Sequence, residues 1–423
     1  MIATDNLPAR SRGLSQSLSG NDPVAVGCQI CGASLLPGLD LGHQPVGDLI
    51  LSRAQLSQPE TFYPMQLFHC PECGLCQLGY TVDPAIVYKD FPFVSGTTRT
   101  ATRHLQSLAK DLTERLRLDS NSLAVDIGSN DGTLLKGYRP YGVKILGVDP
   151  SALPVEIANQ QGLHTLHAFF NEETAERIVA EYGQANAISA CGCFAHIADL
   201  AGLMKGVKSL LKRGGIFATD NQYWLDMVQR KHYDNIFHQH LRNYSLKPLQ
   251  RLFGQYDMEV FDIERSDVYG GSIRVFSGHY GEHPISERVH QLAALEDAES
   301  LYEQSTNERF AQETVEKRRA LFDAVYLRAS QGKKVVGIGA PAKASTVCNY
   351  CRLGPELVQY VTEINPLRMD KYLPGVHIPI VNEDLLFSDE QPADAGILFA
   401  WNYYDEIVPK LRDRGFRGEV LCP

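Results

Sequence analysis

No stretch of this chain approaches the roughly 20 consecutive apolar residues that a helix needs to cross a bilayer. The opening Met1-Ile-Ala-Thr-Asp-Asn also lacks a basic segment followed by an apolar one, so neither a membrane span nor a secretory leader is expected. Positive charge is scarce as well: 40 Lys and Arg stand against 50 Asp and Glu, a net charge of -10, with no local basic patch of useful length to offset it. That balance argues against a nucleic-acid surface. No segment repeats at a short fixed period, which sets aside a solenoid. What remains is a cytoplasmic, globular chain, a monomer or weak dimer, whose 423 residues suffice for two or three cores.

The ten cysteines are placed unevenly, five of them between Cys28 and Cys76. In a reducing compartment such a cluster points to metal and away from disulfides. Cys28-Gln-Ile-Cys31 and Cys70-Pro-Glu-Cys73 are two Cys-x-x-Cys knuckles, each followed by glycine, at Gly32 and Gly74. Two tight turns of this kind complete a tetrahedral zinc site. Four protein thiolates leave no open position, so the zinc should be structural. Cys76 is close enough to compete, but the symmetric pairs are the better set.

Val125-Asp-Ile-Gly-Ser-Asn-Asp-Gly-Thr133, followed by Ile145-Leu-Gly-Val148 and Asp149, reads as a strand, a glycine turn and a second strand ending in a carboxylate. Gly128 and Gly132 admit a ligand close to the backbone, and Asp149 can accept both hydroxyls of a ribose. The turn lacks the second and third glycines of a pyrophosphate fingerprint and carries Asp131 inside it. An adenosine without phosphates and with cationic groups fits best, which describes S-adenosylmethionine.

Strand and helix patterns alternate from Leu123 to Thr219, implying a doubly wound parallel sheet. Apolar residues recur at helical spacing from Ala101 to Leu116, and the polar segment Ile285 to Leu327 reads as long helices. Lys334-Val-Val-Gly-Ile-Gly-Ala340 then opens a second αβ unit, in which Gly339-Ala-Pro-Ala-Lys343 starts a helix whose amides can receive a diphosphate, Lys343 adding charge. The expected organisation is a tail at 1–22, a zinc-binding module at 23–90, a Rossmann-like methyltransferase domain at 91–310 and a Rossmann-like substrate domain at 311–423.

Histidine is the natural proton acceptor near neutral pH. His238 and His240 lie two residues apart beyond the strand Ile216 to Asp220, and His196 follows the apolar stretch ending at Ala190. Their spacing suits an extended strand. Zinc binding by the pair is an alternative, with no third ligand evident nearby.

The paired knuckles, Gly-Ser-Asn-Asp-Gly-Thr at 128–133, Phe-Ala-His-Ile at 194–197, His-Gln-His at 238–240, Gly-Gly-Ser-Ile-Arg-Val at 270–275, Gly-Ala-Pro-Ala-Lys at 339–343 and Tyr-Leu-Pro-Gly-Val-His-Ile-Pro at 372–379 occur in that order. Together they resemble the three-domain, zinc-containing deoxysugar C-methyltransferases. The resemblance implies methylation at C-3 of a 4-keto-6-deoxysugar carried on a nucleoside diphosphate, TDP or GDP, through an enolate. It makes His240 the general base, His196 a second active-site histidine that steadies the enolate oxygen, and His238 a third member. It assigns the methyl donor to Asp126, Gly128, Ser129, Asn130, Asp131, Asp149 and Phe170, and the acceptor to Tyr223, Phe237, Gln239, Tyr269, Lys343 and Asn349.

Two departures stand out. Where the family reads Tyr-His-Glu-His this chain has Phe237-His-Gln239-His, and Tyr269 stands where histidine is common. A neutral Gln239 beside the imidazole should leave His240 less basic than a carboxylate would. The competing readings are a methyltransferase of the same architecture acting on a non-sugar carbon, an oxygen or a nitrogen, and a catalytically silent binding protein.

Overall fold

The computed structural model describes residues 27–88, 94–388 and 390–423. The expected tail at 1–22 and the expected junction at 90/91 lie outside the described residues. The described residues form a mixed α/β structure around three sheets.

The first sheet is antiparallel and carries the cysteines: Leu36–Gln44, Tyr63–His69, Cys76–Leu78 and, from much later in the chain, Arg242–Asn243. That fourth strand is invisible to local pattern reading, because two residues carry no periodicity.

The second sheet has seven strands in the order Met258–Ser266, Ser272–His279, Leu211–Gln222, Ala185–Cys191, Leu123–Ile127, Lys144–Asp149, Thr165–His167. Neighbours from Leu211–Gln222 through Thr165–His167 are parallel, as the alternating pattern predicts. The Gly-Gly-Ser-Ile-Arg-Val motif departs from it: Ser272–His279 runs antiparallel to both neighbours, inserted by a hairpin at 267–271. The first strand, Leu123–Ile127, is buried along its whole length and is built from apolar residues except Asp126. Strand order reverses between Leu123–Ile127 and Ala185–Cys191, which opens a crevice at their carboxyl ends.

The helix Arg99–Leu116 covers this sheet. Thr98 caps it by accepting from the Ala101 amide at 3.2 Å, and its buried stripe is Ala101, Leu105, Leu108, Ala109 and Leu112. The polar segment becomes two helices, Glu287–Ala298 and Gln304–Ser330, the second running unbroken through position 310.

The third sheet has the order Lys371–Tyr372, Pro379–Asn382, Val361–Glu363, Val335–Ile338, Ala395–Leu398, Glu419–Leu421, with all neighbours parallel except the first pair. Its own switch point falls between Val335–Ile338 and Ala395–Leu398, beside Gly339. No helix among the described residues is long and apolar enough to cross a membrane.

Candidate active site

The two switch points face one cavity of about 1150 Å³. Of the residues singled out in the sequence, Gly128, Asn130, Asp149, Phe170, His196, Phe237, Gln239, His240, Tyr269 and Lys343 line it. Asp126, Ser129, Asp131, Tyr223, His238 and Asn349 do not.

On the donor side the chain leaves Leu123–Ile127 through Gly128 at φ 67°, and a β-carbon there would sit 2.6 Å from Cys193 Cβ, so only glycine fits. The Asn130 amide donates to Asp149 Oδ2 at 2.9 Å, and the Ser151 amide to Oδ1 at 2.8 Å. The acid that ends the second strand is thus locked onto the glycine turn. Asp131 instead turns away from the cavity: it accepts from the Thr133 hydroxyl at 2.6 Å and faces Lys136 at 3.7 Å, pinning the turn from behind. Asp126 is buried beneath the site, accepting from Ser189 at 2.6 Å, and burial pushes its carboxyl up to about 7.

The histidine wall differs from the strand geometry anticipated for it. Residues 237–240 form a tight turn in which the His240 amide bonds the Phe237 carbonyl at 2.8 Å, so the two imidazoles diverge. His238 is buried edge-on to Tyr63 in the cysteine module, with ring centroids 5.9 Å apart. His240 faces the cavity, its ring 5.0 Å from that of His196 and 3.8 Å from that of Phe237. Its Nδ1 lies 2.6 Å from the Asn235 carbonyl oxygen, which can only accept. The proton therefore sits on Nδ1 and the lone pair on Nε2. Burial pulls the His240 pKa down to about 4, more than the Asn235 carbonyl raises it, and the charge of Lys343 acts in the same sense as burial. His196 is held well below the usual histidine range by burial and then by His240. Both rings are neutral at pH 7.

Across the cavity stands a cluster that the sequence pattern does not announce. Asp220 Oδ2 takes His104 Nε2 at 2.8 Å and Arg274 Nε at 3.0 Å, and the edge of Tyr269 packs on His104 with centroids 5.8 Å apart. Burial alone would raise the Asp220 carboxyl, but its bonds to His104 and Arg274 hold it below the usual carboxylate range. Tyr269 itself sits at φ 60°, in the left-handed region, between Asp267 and Gly271.

On the far side, the helix Ala342–Cys351 points its first turn at the cavity. The Ala340 amide donates to Glu363 Oε2 at 3.0 Å, and Glu363 ends the neighbouring strand. Lys343 is nearly buried: it pairs with Asp234 at 3.3 Å and lies over the Trp401 ring at 4.1 Å, so its charge is already engaged. Asn349 is spent inside the fold, donating to Ser345 O at 2.8 Å and Pro374 O at 3.0 Å. Tyr223 likewise donates to Glu296 in the core, at 2.8 Å. Asp48, Arg368, Glu363, His104 and Asp220 line the cavity without having been singled out. Only Glu363 carried a usable signal, an acid at the end of an apolar strand like Asp149.

The metal centre matches the sequence reading. The Sγ atoms of Cys28, Cys31, Cys70 and Cys73 all lie within 4.8 Å of one another, with Cys28 and Cys73 at 3.5 Å and Cys31 and Cys70 at 3.4 Å. Four thiolates at these separations surround one tetrahedral zinc, and the Cys73 amide approaches Cys70 Sγ at 3.4 Å, as charge on sulfur requires. Cys76 is not part of the cluster; it faces the core from the strand beyond. With every position filled by protein, the zinc is structural.

Three family models match successive parts of the chain. Residues 28–88 match the family described as "Putative zinc binding domain", 101–263 the family "Methyltransferase domain", and 267–422 the family "C-methyltransferase C-terminal domain". The C-methyltransferase NovU of Streptomyces niveus is 31% identical over 387 residues, which cover 90% of this chain and 91% of the relative. A ubiquinone biosynthesis O-methyltransferase of Marinobacter nauticus is 26% identical over 106 residues, 24% of this chain and 44% of that one. Among solved structures, an S-adenosylmethionine-dependent methyltransferase from Clostridium acetobutylicum covers 43% of this chain and 92% of its own, with 14% identity and a TM-score of 0.33, too loose an overlap to bear on the site. The zinc knuckles, the donor turn and the full-length relative together place this chain in the family of S-adenosylmethionine-dependent C-methyltransferases to which NovU belongs.

Proposed function

We propose that the enzyme methylates a carbon next to a ketone, at C-3 of a 4-keto-6-deoxysugar linked to a nucleoside diphosphate, with His240 as the base. The observation that carries this reading is the His240 imidazole: neutral, its Nδ1 proton committed to Asn235, its Nε2 lone pair left for the cavity between the donor turn and the helix Ala342–Cys351. Bound S-adenosylmethionine supplies an electrophilic methyl group on a sulfonium.

His240 Nε2 removes the proton that the adjacent ketone acidifies, and the carbon–hydrogen pair becomes the enolate double bond. The charge moves onto the ketone oxygen. His196, a neutral ring beside His240, keeps one N–H with which to donate to that oxygen, and a neutral donor stabilises it without first surrendering its proton. With S-adenosylmethionine bound, the enolate carbon would accept its methyl group as the carbon–sulfur pair returns to sulfur and the ketone re-forms, while His240 holds the abstracted proton until the cavity opens to water. On the acceptor side, Glu363 would meet a ribose and the Ala342 and Lys343 amides that open the helix would meet the diphosphate.

The test is transfer of labelled methyl from S-adenosylmethionine to TDP- and GDP-linked 4-keto-6-deoxysugars, with the methylated position read by NMR. Turnover should fall about a thousandfold or more in His240→Ala, while S-adenosylhomocysteine still binds. A parent enzyme inactive on every nucleotide-linked keto sugar, but active on a non-sugar acceptor, would sink the proposal.

A further inference from the structure

The turn that carries His240 is tied to the cysteine module on both sides, in addition to the bonds that Leu241 and Arg242 make to the carbonyls of Ala195 and Ile197 beyond the strand Ala185–Cys191. Just ahead of His240, Gln239 Nε2 donates to Asp48 Oδ2 at 2.9 Å. A carboxylate can only accept, so the amide must present its nitrogen there and Gln239 has one orientation. The other oxygen of Asp48 pairs with Arg368, which also donates to the Ala340 carbonyl at 2.9 Å. Just behind His240, the Leu78 amide donates to the Leu241 carbonyl at 2.9 Å, and Gln77 and Cys76 stand opposite Arg242 and Asn243 in antiparallel register. The knuckle at Cys70–Cys73 leads directly into that strand.

Asp48 reaches this junction because the preceding residue is glycine. A β-carbon on Gly47 would lie 2.4 Å from the Ala342 carbonyl oxygen, so any side chain there would push the module off the third sheet. Asp48, Gln239 and Arg368 come from three different parts of the fold. They are 8%, 2% and 5% exposed and all line the cavity. The junction also accounts for glutamine at 239. A carboxylate in its place would set two buried anions within hydrogen-bond distance of each other, with one guanidinium between them.

We propose that Asp48 is a positioning residue for the reaction: acting through the Gln239 amide, it fixes the turn 237–240, so that the cysteine module sets where the base stands. The proposal rests on His240 being that base. It gives the zinc module a part in turnover that a purely structural unit would not have, although no metal touches the reacting atoms.

The experiment uses the full-length enzyme in four forms: parent, Q239E, D48N and the double variant. Q239E places two carboxylates face to face, and D48N sets an amide nitrogen against another donor. Each should lower kcat about tenfold, with the KM of the acceptor and the affinity for S-adenosylhomocysteine little changed. In the double variant the amide nitrogen introduced at position 48 donates to the carboxylate introduced at position 239, and the amide oxygen accepts from Arg368. The chain of bonds is restored with its polarity reversed, and kcat should return to within about threefold of the parent. Exchange of the acceptor's α-proton with D2O, measured with S-adenosylhomocysteine in place of the methyl donor, should fall and recover in step, because it reads the base alone. Two results would overturn the role of Asp48: Q239E turning over at the parent rate, or a double variant no faster than the slower single one while its unfolding midpoint equals the parent's. A His240→Ala control separates this from the base itself. If it exchanges the proton at the parent rate, the reading of His240 falls and Asp48 with it; if it is inactive beside a fully active Q239E, only Asp48 loses its role.

Discussion

The two αβ halves of this enzyme repeat one device and then diverge. In each, a backbone amide of a glycine turn is bonded to the acid that ends the neighbouring parallel strand: Asn130 to Asp149 at 2.9 Å in the donor half, Ala340 to Glu363 at 3.0 Å in the other. The segments beyond the two turns differ. Past Gly128 the chain runs through Asn130 at φ 50° and reaches only the short 3-10 segment Leu135–Tyr141. Past Gly339, Pro341 stands directly before the ten-residue helix Ala342–Cys351. Proline suits this place because it has no amide to leave unpaired. A regular helix start gathers unpaired amides and the positive end of the dipole, which is where an anion is held. On the proposed reading, the acid and the glycine turn of each half meet a nucleoside, and the helix start in the second half alone adds a place for phosphates: a donor without them on one side, an acceptor with two on the other.

The comparison breaks most visibly if the acids are removed one at a time. Asp149→Ala frees two amides as well as a ribose partner, and loss of charge-assisted bonds of about 1.5–3 kcal/mol each should weaken S-adenosylhomocysteine binding about a hundredfold. Affinity for TDP or GDP should stay the same. Glu363→Ala should show the reverse pattern with a smaller effect, about tenfold on the nucleoside diphosphate, because Glu363 is only half-buried and water can replace part of what it offers. Titration calorimetry of both variants with both ligands checks this. A loss of affinity for both ligands in either variant would mean that the halves do not bind independently.

How much of this could be read in the sequence divides along the same line. The donor turn, the four cysteines and the second glycine turn are local patterns, and local geometry imposes them: Gly128 because nothing larger fits against Cys193, the knuckles because each pair of thiolates must share one ion. The site between the halves is built from residues whose neighbours are far along the chain. Asp48 meets Gln239 across 191 positions and Arg368 across 320. The strand Arg242–Asn243 pairs into a sheet whose other members lie before residue 79. No local pattern announces such contacts. The spacing of His238 and His240 misled for a related reason: alternation implies a strand only where the chain is extended, and here a turn sends the two rings apart.

The wall between the halves makes the smallest prediction, and it concerns pH. Buried at a pKa of about 4, His240 is already unprotonated throughout the neutral range. With S-adenosylmethionine saturating, kcat/KM should therefore be flat from pH 8 to about 5.5 and fall only as pH drops towards 4, whereas a solvated histidine would lose activity through about 6.5. Folding adds a second acid effect of the same sign. His196, His232, His238 and His240 all have pKa values lowered by burial, so on acidification the unfolded chain takes up protons before the folded one. Their contribution to stability is whole above about 6.5 and erodes as pH falls towards 4, by up to about 1.4 kcal/mol per pH unit for each ring. Rates measured within seconds of a jump from neutral stock separate the two effects, because the enzyme turns over before it unfolds. An acid limb near 6.5 under those conditions would show that the base is solvated before the acceptor binds, and that the cysteine module does not close the wall by itself.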